Sequence, residues 1–407
     1  MFGPTDVNME AERSLGRAIE AHKAGLLVDA EQRYRQFLER RPNDPDALNF
    51  LGMLRCQVND PAEAATLLKR SVEADPSNPH AWLNLGNVLV ILRQDEEARA
   101  AFTKATELAP DLAMAWFNLG VCLGRCKQPL EAASALHRAL KIEPGHLRAY
   151  ESLGLVLHRL GNYAEAAEVF REWLDHDPAN PFARHMLAAT SGAGAPSKAA
   201  DEYVRQLFDD FAANFDENLA SLQYRAPQLV AERLGREAAG SAPVDILDAG
   251  CGTGLCGPLL APFARRLVGV DLSTKMLTQA KARSVYDELY KVELTAYLRD
   301  FTAAYDVIVS ADTLVYFGPL EEVITAAANA LRPGGRFVFT VEELTGEASE
   351  GFTISPHGRY AHARAYVERV LAGAALDADI TTAQLRFEAG APVPGLVVRA
   401  AKPEVQD

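Results

Sequence analysis

The stretch DILDAGCGTG at residues 245–254 sets three glycines, Gly250, Gly252 and Gly254, at alternate positions behind an acid, Asp248. Without side chains, these glycines let the backbone turn tightly and let a ligand lie against it. VDIL before the loop reads as a short buried strand ending at Asp248, and LCGPLLAPFA after it reads as a helix. RRLVGVDLS then reads as a second strand ending in Asp271, 21 residues after Gly250. A carboxylate at that strand end accepts hydrogen bonds from both hydroxyls of a ribose. Together these residues describe a site for a nucleoside cofactor. A dinucleotide sets its pyrophosphate on a helix amino terminus behind G-x-G-x-x-G. Here the loop is G-x-G-x-G behind a carboxylate, which disfavours phosphate and favours a cationic group such as the amino group of a methionine moiety.

ILDAGCGTG, VGVDLSTKMLTQA, YKVELTAYL, YDVIVSADTLVYF and LRPGGRFVFTVEE follow one another over residues 244–343. In type and order they resemble the motifs of the class I S-adenosylmethionine-dependent methyltransferases. The resemblance implies an α/β Rossmann-like domain with a seven-stranded, mostly parallel sheet, and S-adenosylmethionine as cofactor. Carried over residue by residue, Asp248 and the loop of Gly250, Cys251, Gly252 and Gly254 hold the methionine part, and Asp271 holds the ribose. Leu272, Ser273 and Met276 line the adenosine pocket, Met276 as its apolar wall. Glu293 reads the adenine amino group, where many relatives carry Asp; read without the family, it is an exposed strand-end charge. Ala311 belongs to the cofactor side of the loop after the fourth strand.

Methyl transfer is an in-line displacement, so the protein mainly aligns and desolvates the acceptor. A hydroxyl acceptor usually needs a base, and an amine must arrive neutral. The loop SADTLVY lacks the Asn/Asp-Pro-Pro-Tyr/Phe pattern of enzymes acting on planar amides or base amines. Asp312 and Tyr316 lie in it where an acceptor approaches, or else serve packing and capping. SPHGRYAHARAYV at 355–367 clusters His357, Arg359, Tyr360 and His362. Tyr360 and His362 are candidates for the substrate side, since His changes charge near neutrality; the alternative is a solvated loop leading into a helix. TTAQLRFEAGAPVPGLVVRAAK carries two strand-like runs that suit antiparallel sixth and seventh strands.

The elements ahead of this site are of another kind. PHAWLNLGNVLV from 79, LAMAWFNLGVCL from 112 and HLRAYESLGLVL from 146 share an aromatic and a Leu-Gly pair every 34 residues. Gly52, Gly86, Gly120 and Gly154 recur, as do Ala64, Ala98, Ala132 and Ala166, and Pro76, Pro110, Pro144 and Pro178 close the units. Small residues let two helices approach, and proline ends the second helix. The period resembles the tetratricopeptide repeat. An α-solenoid is expected over residues 1–190, with five repeats over about 11–180 and a capping helix near PFARHMLAAT. Its concave face is the candidate surface for a protein or peptide partner. Asn84 and Asn118 recur at one position and either hold a peptide backbone or bond neighbouring repeats.

SGAGAPSKAA, 191–200, reads as a flexible linker before a domain over 201–407 whose first part, 201–240, forms capping helices. There Tyr203, Leu207, Phe211, Phe215 and Leu219 fall four apart, with Phe208 beside them, as one helical face that packs in the core or caps the cofactor pocket. Repeats joined to FDDFAANFDENL, LQYRAP and GRYAHARAYV resemble a group of repeat-containing methyltransferases.

The 407 residues are 48% apolar and 24% charged, with a net charge of −14, which opposes nonspecific nucleic-acid binding. No run of about 18 apolar residues suggests a membrane span, and no secretory signal opens the sequence. The five cysteines suit a reducing cytoplasm. Cys122 and Cys126 lack partners at metal-ligand spacing, so no metal is expected. The leading expectation is a cytoplasmic methyltransferase whose repeats dock a protein or peptide. Against it stand a small-molecule enzyme with repeats for assembly, and a non-catalytic scaffold.

Overall fold

Among the described residues, ten helices follow one another in five pairs: Pro4–Lys23 with Leu27–Arg40, Pro45–Gln57 with Pro61–Ala74, Pro79–Ile91 with Asp95–Leu108, Ala113–Arg125 with Pro129–Ile142, and Leu147–Arg159 with Tyr163–His176. The computed structural model describes residues 4–404 except 193, 239–241, 347 and 389, with side chains from residue 12 onward except 236–238. Residues 1–3, and 239–240 at the end of the expected capping segment, lie outside them.

The recurrent small residues mark where the helices of a pair meet. A Cβ on Gly52, Gly86, Gly120 or Gly154 would lie 2.8 Å from Leu68, 2.4 Å from Phe102, 2.6 Å from Leu136 or 2.5 Å from Phe170, each sixteen residues further on the second helix. Ala64, Ala98, Ala132 and Ala166 are fully buried at the same seams. The recurrent aromatics and prolines are linked as well. Trp82 donates its indole N–H to the Pro76 carbonyl at 2.9 Å, and Trp116 to that of Pro110 at 3.0 Å. Asn84 donates to Asn49 at 3.0 Å and Asn118 to Asn87 at 2.8 Å, so each bonds the preceding repeat.

The chain divides into units Met1–Pro178 and Ala179–Asp407. The helix expected to cap the repeats, Pro181–Ser191, therefore belongs to the second unit. There His185 bonds the Gly358 carbonyl at 2.8 Å and stacks on Tyr203 at 4.2 Å, and Ala189 packs with Ile354 and Tyr360.

Strands β1 (Val244–Ala249), β2 (Ala264–Asp271), β3 (Glu288–Lys291), β4 (Tyr305–Ser310) and β5 (Leu331–Glu343) pair in parallel in the order β3-β2-β1-β4-β5. The short strands β6 (Phe352–Ile354) and β7 (Tyr360–His362) form a hairpin, and β8 (Asp377–Glu388) and β9 (Ala391–Ala401) form another. β9 pairs antiparallel with β5, completing the expected seven strands. The β6–β7 hairpin adds two more, because β5 runs far enough for Glu342 and Glu343 to pair with Ala361 and His362. Both faces of the sheet are covered. Ile246, Val307, Val309 and Val338 enter one apolar cluster, while Leu247, Ile308, Phe337 and Phe339 enter another. This follows from the two-residue period of a strand. The order reverses between β1 and β4, and their carboxyl ends open a crevice there.

Within the expected linker, residues 197–199 are held by backbone pairing. Lys198 and Phe317 form an isolated antiparallel bridge, Ala199 N–H donates to the Tyr316 carbonyl at 2.9 Å, and Gly318 N–H donates to the Ser197 carbonyl at 2.9 Å. The aromatic stripe is not one helix either. Helix Asp201–Phe211 ends in a 3-10 turn, Ala212–Asn214, before helix Phe215–Ser221. The break turns Phe211 outward, 50% exposed. Among the described residues, no helix is long and apolar enough to cross a membrane.

Candidate active site

Three glycines with positive φ follow β1, and each serves a different need. Gly250 has φ +80°, and a Cβ there would lie 2.2 Å from Thr313 Oγ1. Gly254 has φ +83°, and a Cβ would meet Tyr286 at 2.9 Å. These two glycines allow close internal packing. Gly252, at φ +55°, faces open space with nothing within 4 Å of its added Cβ. Its bare face is the cradle a ligand can occupy. The loop is held from β2, where the Val270 carbonyl accepts from Gly250 and Cys251 N–H, both at 2.9 Å.

Asp271 ends β2 and accepts from Gly252 N–H at 2.9 Å and Ser273 N–H at 2.8 Å. Burial raises its carboxyl pKa, against the pull of these amides. Asp248 is fully buried and accepts from the Tyr286 hydroxyl at 2.6 Å through Oδ2, while Oδ1 has no partner among the described residues. Burial pushes its carboxyl up to about 7 despite the Tyr286 bond.

One cavity lies at this crevice. Gly250, Cys251, Gly252, Asp271, Leu272, Glu293 and Ala311 wall it on the nucleoside side. Asp312 and Tyr316 wall it from the loop after β4, and Val204, Phe208, Phe215 and Leu219 from the capping helices. Six expected residues do not reach the wall. Asp248 and Gly254 act behind the loop as described. Ser273 is spent on structure, since its hydroxyl caps helix Thr274–Ala282 by accepting from Met276 N–H at 3.1 Å and donates to Asp209 at 2.6 Å. Met276 is fully buried outside the wall, so it is no adenosine wall here. The capping helices are thereby tied to the cofactor loops, by Asp209 to Ser273 and by Asp216, which accepts from Thr253 Oγ1 at 2.6 Å.

Tyr360 and His362 also face away. Tyr360 is fully buried and donates to the Pro196 carbonyl, and His362 bonds the Gly318 carbonyl at 2.8 Å. Burial pushes the His362 imidazole down to about 4, against that hydrogen bond. Alternation along β7 gives the reason: residues 360 and 362 share one face, and the preceding Arg359 takes the other and enters the wall.

Behind Arg359 lies a charged cluster. Arg386 is fully buried and donates to Asp312 at 3.2 Å, to Glu388 at 3.0 Å and to Glu342. Arg359 donates to Glu388 at 2.5 Å, and His357 Nε2 lies 3.5 Å from Glu342. Asp312 itself stands at φ +58°, a left-handed conformation that a side chain rarely takes, with its N–H on Thr340 Oγ1 at 2.9 Å. Such strain is often stored at functional sites.

Residues 247–339 match the methyltransferase domain family, and residues 15–79 match the tetratricopeptide repeat. The cytochrome c-type biogenesis protein H TPR domain matches residues 65–184. The chain carries a class I methyltransferase domain behind tetratricopeptide repeats. Human methyltransferase-like protein 27 is 42% identical over 84 residues, 20% of this chain and 34% of that protein. A "Probable S-adenosylmethionine-dependent methyltransferase" of Mycolicibacterium smegmatis is 29% identical over 134 residues, 33% of this chain and 51% of that protein. The chain thus spans a third to a half of the length of these curated relatives. A crystal structure of MamA is similar at 26% identity, covering 40% of this chain and 94% of that one, with a TM-score of 0.38.

The methyltransferase domain implies S-adenosylmethionine, and its residues fit that group. The open face of Gly252, the Asp271 carboxylate and Glu293 border the cavity. Lys198, Tyr224 and Thr313 also wall the cavity, none of them expected. Thr313 had the nearest signal, one residue from Asp312. Lys198 had none, since its neighbours read as a flexible linker.

Proposed function

We propose that this chain is an S-adenosylmethionine-dependent methyltransferase whose repeat unit docks a protein or peptide, the methyl acceptor being a candidate for that partner. One observation carries the enzymatic reading: the open face of Gly252, the Asp271 carboxylate and the strained Asp312 border a single cavity. When bound, S-adenosylmethionine supplies an electrophilic methyl on a sulfonium. This chain's share is then alignment and exclusion of water. Asp271 accepts from the ribose, and Phe208 and Phe215 shield the site. Burial raises the Tyr316 hydroxyl pKa, so Tyr316 offers a hydrogen bond to the acceptor rather than a base.

A small-molecule acceptor is the second reading. It is favoured by the aromatic enclosure of Phe208, Phe215, Tyr224, Tyr316 and Phe317.

Calorimetry with S-adenosylmethionine and S-adenosylhomocysteine, beside Asp271→Ala, tests the cofactor. Micromolar binding lost in the variant supports an enzyme, and no binding by the folded wild type turns the reading to a scaffold. Radiolabelled methyl transfer with and without residues 1–178 then separates the acceptors. Loss of labelling with retained cofactor affinity supports docking by the repeats, and retained turnover supports the small molecule. The cut belongs at 178 because helix Pro181–Ser191 packs in the second unit.

A further inference from the structure

Arg359, Tyr224 and Tyr316 bring hydrogen-bond donors to the cavity wall beside Asp312. Arg359 Nη1 bonds Glu388 at 2.5 Å and lies 3.6 Å from Glu342, and the guanidinium also reaches the Tyr316 hydroxyl. A guanidinium carries more N–H donors than these contacts use. The Arg359 side chain is 25% exposed, against 1% for Arg386, so Arg359 is the arginine that meets the cavity. Arg225 N–H donates to the Leu385 carbonyl and Phe387 N–H to the Leu222 carbonyl, both at 2.8 Å. The strand on either side of Arg386 thus holds the turn that carries Tyr224. Asp312, Arg386 and Arg359 are among the groups whose charges act on the Tyr224 hydroxyl.

Among the described residues, nothing on this stretch of wall is set to take a proton. Arg386 engages both Asp312 oxygens, at 3.3 and 3.2 Å. Burial raises the pKa of the Tyr224 and Tyr316 hydroxyls, so both keep their protons. His362 bonds Gly318, and His357 stands outside the wall against Glu342. The cluster holds one more carboxylate than guanidiniums, and the sulfonium of a bound cofactor offsets that excess. Phe208 stands edge-on to Tyr316 at 5.6 Å and to Phe215 at 5.9 Å, and with Leu219 they give the adjoining wall an apolar face.

We propose that the methyl acceptor is a carboxylate carried on an aromatic or apolar body, held by Arg359 with the Tyr224 and Tyr316 hydroxyls. The inference rests on the cofactor reading above and names the substrate class of that site. A carboxylate is already ionised at neutral pH, so it needs the donors of this wall and no base. A hydroxyl needs a base, and an amine must first lose a proton. One carboxylate oxygen accepts from the guanidinium, a charge-assisted bond that a neutral amide does not match. A lone pair on the other oxygen forms the O–CH3 bond as the S–CH3 bond breaks, and the electrons of the broken bond stay on sulfur. The products are a methyl ester and S-adenosylhomocysteine, and no proton moves.

The test is calorimetry of the full chain saturated with S-adenosylhomocysteine, for wild type, Arg359→Gln, Arg359→Lys and Tyr224→Phe. Phenylacetate against phenylacetamide probes a free acid, and N-acetylphenylalanine against its amide probes a peptide carboxylate. In wild type at least one acid should bind about tenfold or more tighter than its amide, as a hydrogen bond to a charged group allows, and the pair that shows this identifies the source. Arg359→Gln should bring the ratio to within about threefold, and Arg359→Lys should restore part of it. Tyr224→Phe, which removes only a hydroxyl, should lower the ratio by about threefold. An unchanged ratio in Arg359→Gln overturns the proposal, because a purely structural role predicts that result. With radiolabelled S-adenosylmethionine, the preferred acid should carry label that mild alkali releases as methanol, and a bound acid that gains no ester overturns the transfer step. Equal binding of acid and amide in both pairs, or tighter binding of phenethylamine, overturns the proposal and leaves the cofactor reading standing. Wild type that binds no S-adenosylhomocysteine overturns that reading and this inference with it, which separates the two failures.

Discussion

Gly252→Ala separates the cost of the loop's backbone from the cost of filling its cradle. The residue sits at φ +55°, and its added Cβ meets no protein atom within 4 Å. In the absence of ligand, the expected penalty is therefore only that of a left-handed non-glycine residue, about 1–2 kcal/mol. For a domain of this size that lowers Tm by roughly 2–8 °C. In the presence of ligand, the new methyl occupies open space at a residue that walls the cavity. S-Adenosylmethionine affinity should then fall at least about tenfold, or about 1.4 kcal/mol, beyond the loss of stability. Thermal melting without ligand measures the first quantity, and calorimetry on the folded variant measures the second. Gly250→Ala is the contrast, because its Cβ would stand 2.2 Å from Thr313 Oγ1 and disturb the fold first. Wild-type affinity in a folded Gly252→Ala would refute the assignment of that face to the cofactor.

Arg386→Met removes the buried guanidinium shared by Asp312, Glu342 and Glu388, leaving Asp312 without an ion-pair partner among the described residues, and should cost about 3–5 kcal/mol in denaturant unfolding; a loss below about 1 kcal/mol would contradict the cluster as described. Burial opposes ionisation of Glu388, but Arg359 and Arg386 pull its carboxyl from 4.5 down to about 2. A folded value below the unfolded one stabilises above about pH 4.5 and is lost as pH falls toward 2, so Glu388→Gln should flatten the acid limb of the stability curve over that window. His362, pushed down to about 4, is neutral from about pH 5 to 8, so His362→Gln should lower Tm while leaving the shape of the methylation–pH profile in that range unchanged. A limb lost near neutrality would return His362 to the chemistry.

The sequence by itself determined the two architectures, because their signals are local. A 34-residue recurrence of Gly, Ala and Pro describes a helix pair whose seam needs small residues, and the contacts of Gly86 with Phe102 and Gly154 with Phe170 realise it within one repeat. The glycine loop and Asp271 are likewise joined by adjacent strands, so their spacing alone predicted that they share a cavity. Tertiary structure decided which neighbours of those motifs face that cavity. Ser273 and Met276 follow Asp271 in sequence, but helix capping and burial remove them from the wall. Arg359 enters it where Tyr360 and His362 do not, because pairing of β7 with β5 sets which face is outward. Lys198 enters it because a segment of linker composition found backbone partners at 316–318, more than a hundred residues on. Composition registers the entropy such a segment would have when free. It carries no record of the distant hydrogen-bonding groups that remove that freedom, and those groups turned a spacer into a wall of the site.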